Sequence, residues 1–207
     1  MKNLQKKASP FFQLFLIFII ISFLGWCIET LYFLIAWNDL TDRGFLSMPL
    51  CTIYGCSLMA IYLIIGTPAK GRLKALFGRA KKLPLIPKII SYTALYFFYF
   101  IIAALIPTIT EFFTALFFDK LFGIRLWDYS NYTYHLYGYI CLEFSLAWGI
   151  LITLAMSLIW PVIAKLVNKI PYKIVKILSI SFIVLLFTDF IINMSYLIVK
   201  KKYLILY

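Results

Sequence analysis

The stretch "FFQLFLIFIIISFLGWCIETLYFLIAW", residues 11–37, holds one charged side chain, Glu29, in a run that is otherwise apolar or weakly polar. As an α-helix it would be about 40 Å long, enough to cross a hydrocarbon core of about 30 Å with a tilt or a protruding end. Its apolar residues are continuous instead of alternating, so a transmembrane helix is predicted and a barrel strand is excluded. Four further stretches read the same way: 49–66, 89–118, 138–160 and 174–199. The second is the shortest, and Pro107 is placed to kink the third.

These segments nearly exhaust a chain of 207 residues, of which 64% are hydrophobic and 14% charged, at a mean hydropathy of +0.95. That composition excludes a soluble domain. The expected fold class is an all-α integral membrane protein with about five transmembrane helices, forming a single membrane domain over 1–207. The start, "MKNLQKKASPFFQLFLIFIII", has the basic residues and apolar centre of a secretory signal. Its apolar run continues too far and lacks a small-residue cleavage site, so it is expected to remain as the first helix.

Orientation follows from the cations. With the N-terminus in the cytoplasm, inner segments hold fourteen of the twenty Lys and Arg residues, seven of them between Lys70 and Lys88. Arg43, Lys120, Arg125 and Lys200 to Lys202 fall outside, and the terminal lysines count against an otherwise consistent positive-inside pattern. The expectation is a multi-pass plasma-membrane protein with a cytoplasmic N-terminus. Its net charge of +12 is mainly a topology signal, with attraction to anionic membrane lipid as a second effect. Nucleic acid is not an expected partner. In the basic loop 67–88, Gly66 and Gly71 have the separation of a phosphate-binding loop, but Arg72 and Leu73 stand where Lys and Ser/Thr are required. The loop reads instead as a cytoplasmic docking surface, and no cofactor is expected.

Four of the eight acids sit within or at the ends of apolar helices: Glu29, Glu111, Glu143 and Asp189. Helix rise places all four toward the outer leaflet. A charge at the centre of a membrane helix costs about 2.5 to 3.5 kcal/mol on insertion scales, so each needs a partner, a proton or water. Arg43 and Arg125 are the arginines of the outer connections, and a guanidinium fork suits carboxylate, phosphate or sulfate. Packing of helices by ion pairs is the alternative to a functional pathway.

A repeat organises these residues. Glu29 and Arg43 are 14 apart, as are Glu111 and Arg125, and each Arg is followed by a Tyr-Gly, Tyr54-Gly55 and Tyr137-Gly138, read as opening a returning helix. The expectation is a parallel duplicated helical hairpin, 11–66 and 89–160, plus an extra helix at 174–199. In that fifth helix Asp189 and Asn193 share a face.

The strings "FLGWCIET" (23–30), "DRGFLSMPLCTIYGC" (42–56), "FGIRLWDYS" (122–130) and "YGYICLEFSLAWGI" (137–150) make the chain resemble the ABC transporter type IV, or CmpB-like, membrane permeases over about 11–160. The resemblance implies an integral-membrane permease subunit. Members commonly have Gly-Pro where this chain has Met48-Pro49, a second proline at Thr52, and Asn-Gly-Arg in place of Tyr137-Gly138-Tyr139. Tyr139 therefore lacks a cation that relatives carry.

No Cys-x-x-Cys occurs among Cys27, Cys51, Cys56 and Cys141, which read as small buried apolar residues. His135 reads as an interfacial hydrogen-bonding residue. Trp37, Trp127, Tyr129, Tyr132 and Tyr134 read as an aromatic belt, or more sharply as a carbohydrate or head-group platform. No serine elbow, zinc helix or dinucleotide loop is present.

Three functions are compatible with these features. The first is a permease component with Glu29, Arg43, Tyr54, Glu111, Arg125, Asp128, Glu143 and Asp189 along its pathway. The others are an enzyme acting on a lipid or lipid-linked head group, and a structural or regulatory membrane partner. A cytosolic ATPase and a second copy of the chain are the expected protein partners of the first.

Overall fold

A computed structural model describes residues 10–38, 40, 44–200 and 202. Arg43 and the lysines at 2, 6, 7 and 201 lie outside the described residues, as does the side chain of Trp37. The helices are α1 (Pro10–Trp37), α2 (Thr52–Ile64), α3 (Lys74–Lys81), α4 (Leu85–Phe122), α5 (Leu142–Leu154), α6 (Trp160–Val167) and α7 (Tyr172–Lys200). A π-helical turn, Ala155–Ile159, joins α5 to α6, and two-residue strands β1 (His135–Leu136) and β2 (Ile140–Cys141) pair before α5. Four helical spans are long and apolar enough to cross a membrane, and α2 is a shorter apolar helix. With no sheet core and with large apolar side chains covering the outside of these helices, the chain is an all-α multi-pass membrane protein.

Two compact units form, Met1–Cys56 with Ile163–Tyr207, and Ser57–Val162. In the first, α1 and α7 run side by side in the same sense. The Ser179 hydroxyl donates to the Phe12 carbonyl at 2.9 Å, and further along Phe182 and Leu186 pack on the Ile19 cluster, which also takes in Phe15 and Phe18. The start of α2 lies against α1 in the opposite sense, Gly55 meeting Phe18 and Ser22 while Tyr54 covers Gly25.

The second predicted span, 49–66, is helical only from Thr52. Its 13 residues rise about 20 Å, short of a hydrocarbon core. Before it, Gly44–Pro49 is bent, non-helical chain. Leu46 and Leu50 are nonetheless buried against Ile19 and packed with Leu186, the midpoint of α7. Irregular backbone thus lies level with the middle of the α7 span, which lipid permits only where protein or water covers it. Local chemistry explains the break. Gly44 takes φ of +102°, Pro49 has no amide hydrogen and disfavours helix at Met48, and the amides of Met48 and Cys51 are claimed by other segments.

In the second unit α4 and α5 form an antiparallel pair. Phe100 and Ala104 face Gly149, and Phe112 meets Tyr139 just before α5 begins. The expected kink does not interrupt α4, which runs unbroken through Pro107 for 38 residues, about 57 Å. Thr108 and Thr110 return their hydroxyls to the carbonyls of Ala104 and Ile106. The loop expected over 67–88 contains α3, held by Phe77 between the rings of Tyr92 and Tyr96, and the start of α4. The fourth span begins at Leu142, later than expected, and its π turn precedes Pro161, where the regular ladder cannot continue.

Candidate functional site

The broken second pass is lined by polar groups from both neighbouring helices of its unit. Asp189 on α7 accepts the Met48 amide through Oδ2 at 3.1 Å. One turn on, Asn193 donates through Nδ2 to Asp189 Oδ1 at 2.9 Å and to the Ser47 hydroxyl at 3.0 Å. On α1, Glu29 Oε2 accepts from the Cys51 thiol at 3.2 Å, and Cys51 in turn donates its amide to the Ser22 carbonyl at 3.0 Å. Cys51 immediately precedes α2, so the Glu29 carboxylate sits near the positive end of that helix. Both half-buried acids therefore supply acceptors, Asp189 to a backbone amide that a continuous helix would have satisfied itself and Glu29 to a thiol.

The second unit carries the other group. Arg125 Nη1 lies 3.1 Å from Asp128 Oδ2, and its guanidinium stands 5.7 Å from the centroid of the Tyr139 ring. Asp128 also accepts the Ser130 amide at 2.9 Å and the Ser130 hydroxyl at 2.5 Å. These Ser130 bonds, with the Arg125 charge as a smaller contribution, hold the Asp128 carboxyl below its usual range. The Tyr139 hydroxyl donates to Asp119, which pushes that phenol above its usual range. Tyr137 and Gly138 both have positive φ, 55° and 73°, in the turn between β1 and β2. A Cβ at Gly138 would come within 2.6 Å of Asp128 Oδ1, so the turn requires glycine there. Tyr137-Gly138 consequently does not open a helix as the repeat required, whereas Tyr54-Gly55 lies inside α2.

Of the remaining expected residues, Glu111 is buried in α4 at 5% exposure, and Glu143 is exposed in the first turn of α5, complementing its dipole. Burial pushes the Cys141 thiol up, and Glu143 and Glu111 add to the effect. Tyr54 packs its ring on Gly25. His135 accepts the Gly138 amide through Nδ1 at 3.0 Å, the hydrogen-bonding role expected of it. Tyr129 and Tyr132 pack on Phe144, while Trp127 donates to the Tyr139 carbonyl at 2.8 Å. None of the four cysteines is in a disulfide, and among the described residues no three of His, Cys, Asp and Glu group as metal ligands. Gly66 and Gly71 close a turn instead of a phosphate cradle. The Gly66 carbonyl accepts from Tyr99 at 2.8 Å, and the Gly71 amide bonds Thr67.

Ser47, Cys51 and Asp119 are site residues that sequence reasoning missed. Only their places beside Pro49 or within an apolar helix were visible beforehand.

These features define a multi-pass α-helical membrane protein with two carboxylates beside a short apolar helix and the non-helical chain before it. The chain belongs to the family described as "Putative ABC-transporter type IV", whose model matches residues 16–194. No curated protein and no solved structure matches it.

Proposed function

We propose that the chain is the permease component of an ATP-driven transporter in the plasma membrane, with its N-terminus in the cytoplasm and its pathway beside the broken second pass. The observation that carries this reading is non-helical backbone at membrane depth whose amide is held by Asp189. Discontinuous crossings of that kind bind substrates and ions in transporters because they offer backbone groups that an intact helix conceals. Glu29, Tyr54 and Asp189 flank the path in the first unit, and Arg43, assigned to the same path, lies outside the described residues. Glu111, Glu143, Arg125 and Asp128 are the pathway candidates of the second unit, and membrane lipid surrounds the chain.

The turn at Gly66–Gly71 spends its backbone groups internally, so hydrolysis of ATP falls to a separate cytosolic subunit. The basic α3, fixed by Phe77 with Lys74, Arg79 and Lys81 exposed, is its docking element. A second copy of the chain or another membrane subunit completes the pathway in this reading.

The test replaces the four native cysteines, with Cys51→Ser retaining a donor for Glu29, and introduces Ser47→Cys. Labelling of intact cells by a charged, membrane-impermeant thiol reagent is expected at Ser47→Cys and not at the buried Leu46→Cys. Absence of labelling at both means that the acids only hold helices together. A photo-crosslinker at the exposed Leu76 in α3 is expected to capture an ATP-binding protein. Capture of lipid alone rejects the ATPase partner.

A further inference from the structure

We infer that the cluster of Ser47, Asp189 and Asn193 binds a small monovalent cation of about the size of Na+. Asp189 places a carboxylate within the α7 span, and among the described residues no Lys or Arg stands within ion-pair distance of it. Its two oxygens meet the Met48 amide and the Asn193 side-chain nitrogen, both neutral donors. Among the described residues no cation compensates that carboxylate.

Asn193 supplies the second, independent observation. Its side chain is fully buried, at 0% exposure, and its Oδ1 has no hydrogen-bond partner among the described residues. On the same amide, Nδ2 carries two hydrogens but faces three acceptors: Ser47 Oγ at 3.0 Å, the Asp189 carbonyl at 3.0 Å and Asp189 Oδ1 at 2.9 Å. The Ser47 hydroxyl adds one hydrogen of its own, yet Asn193 Oδ1 receives none among the described residues, and a buried oxygen without a partner is costly.

Half a turn about χ2 exchanges the amide nitrogen and oxygen. Asn193 Oδ1 then takes the place of Nδ2, 3.0 Å from Ser47 Oγ and 2.9 Å from Asp189 Oδ1, which brings three oxygens together, one of them a carboxylate's. A hard cation satisfies all three at once. The single carboxylate balances a single positive charge, whereas a divalent ion would leave excess charge in apolar surroundings, and Mg2+ sheds its water reluctantly. The neighbouring chain Gly44–Leu50 contributes carbonyls that belong to no helical ladder, the usual supplementary ligands at a broken membrane helix. The site lies within one unit and stands apart from the permease reading, since an ion here fixes the non-helical segment whether or not a substrate passes it.

The experiment uses the full chain purified in detergent, with 22Na+ binding measured at constant ionic strength in choline chloride and thermal unfolding followed in parallel. Saturable binding at a single site is expected, with a melting temperature that rises with Na+ at fixed total salt. Asp189→Asn and Asn193→Leu should abolish binding. Ser47→Ala, which preserves the bond between Met48 and Asp189, should weaken it several-fold. Wild-type protein without saturable 22Na+ binding overturns the inference, even if every variant fails to accumulate. Binding that survives unchanged in Ser47→Ala and Asn193→Leu places the ion elsewhere and overturns it equally.

Discussion

At Glu29 the cost of a charge in an apolar run is met by a thiol and a helix start. At Asp189 it is met by a backbone amide from a segment 141 residues away in sequence. The need for partners was legible in the sequence, because a carboxylate in lipid requires one. The partner of Asp189 was not, since the Met48 amide carries no charge pattern to search for. Tyr139 shows the same limit in reverse. Its hydroxyl serves Asp119 at the position where relatives tend to carry arginine. Tyr139→Phe is expected to speed hydrogen exchange of the 135–141 hairpin several-fold, and Tyr139→Arg to restore protection by pairing with Asp119. Equal exchange in wild type and Tyr139→Phe would show that the bond does not hold the hairpin.

The two shifted groups of that connection also set a pH window. Asp128 lies below its ordinary 3.8, so its contribution is present above that value and is lost as pH falls through the folded-state value. Tyr139 lies above its ordinary 10.0, so its contribution is present below that value and is lost as pH rises through the folded-state value. Exchange protection of residues 124–141, corrected for intrinsic rates, should be flat between these limits and decline on both sides. Asp128→Asn should remove the acid limb and Tyr139→Phe the alkaline one. Persistence of both limbs in the variants would assign the pH dependence to other groups.

At the scale of elements, hydropathy found the four long apolar helices and the short α2, because the period and length of apolar residues are set by lipid and not by neighbours. The ends it misplaced are those where tertiary partners decide. Helix α2 starts late because Met48 and Cys51 give their amides to α7 and α1, and α5 starts late because Tyr137-Gly138 forms a left-handed turn. A cysteine stands directly before each of these helices. Cys51 precedes α2 and touches Glu29, while Cys141 precedes α5 and lies in the field of Glu111. Close helix packing gives a mutational contrast within the second unit. A Cβ at Gly149 would stand 2.5 Å from the Phe100 ring and 3.0 Å from Ala104, whereas nothing lies within 4 Å at Gly78. Gly149→Leu should destabilise the α4–α5 pair by about 1 to 3 kcal/mol, and Gly78→Ala should stabilise α3 by about 0.5 to 1 kcal/mol. Thermal unfolding in detergent checks both, and opposite signs would refute the packing argument.

At the scale of the whole molecule, the decisive quantity is whether the broken segment completes a crossing. Helix α2 supplies about 20 Å, and the non-helical residues before it, at no more than about 3.3 to 3.6 Å each, can span the rest of a core of about 30 Å. Charge argues that they do. Between Lys70 and Lys88 stand seven cations, and no acid occurs from Arg43 to Thr110, so a non-crossing segment would put the most basic stretch of the chain on the side opposite the N-terminal lysines. The prediction is that a fluorescent-protein reporter that matures only in the cytoplasm gives signal when fused after Lys82 and none when fused after Ser130. An impermeant thiol reagent should correspondingly label an introduced Ser130→Cys, and not Lys82→Cys, in intact cells with the native cysteines removed. Signal from the fusion after Ser130, with external labelling at Lys82→Cys, would mean that the segment enters the membrane and returns to the face it came from. The positive-inside pattern would then have failed, and the pathway proposed beside Asp189 would open to one side only.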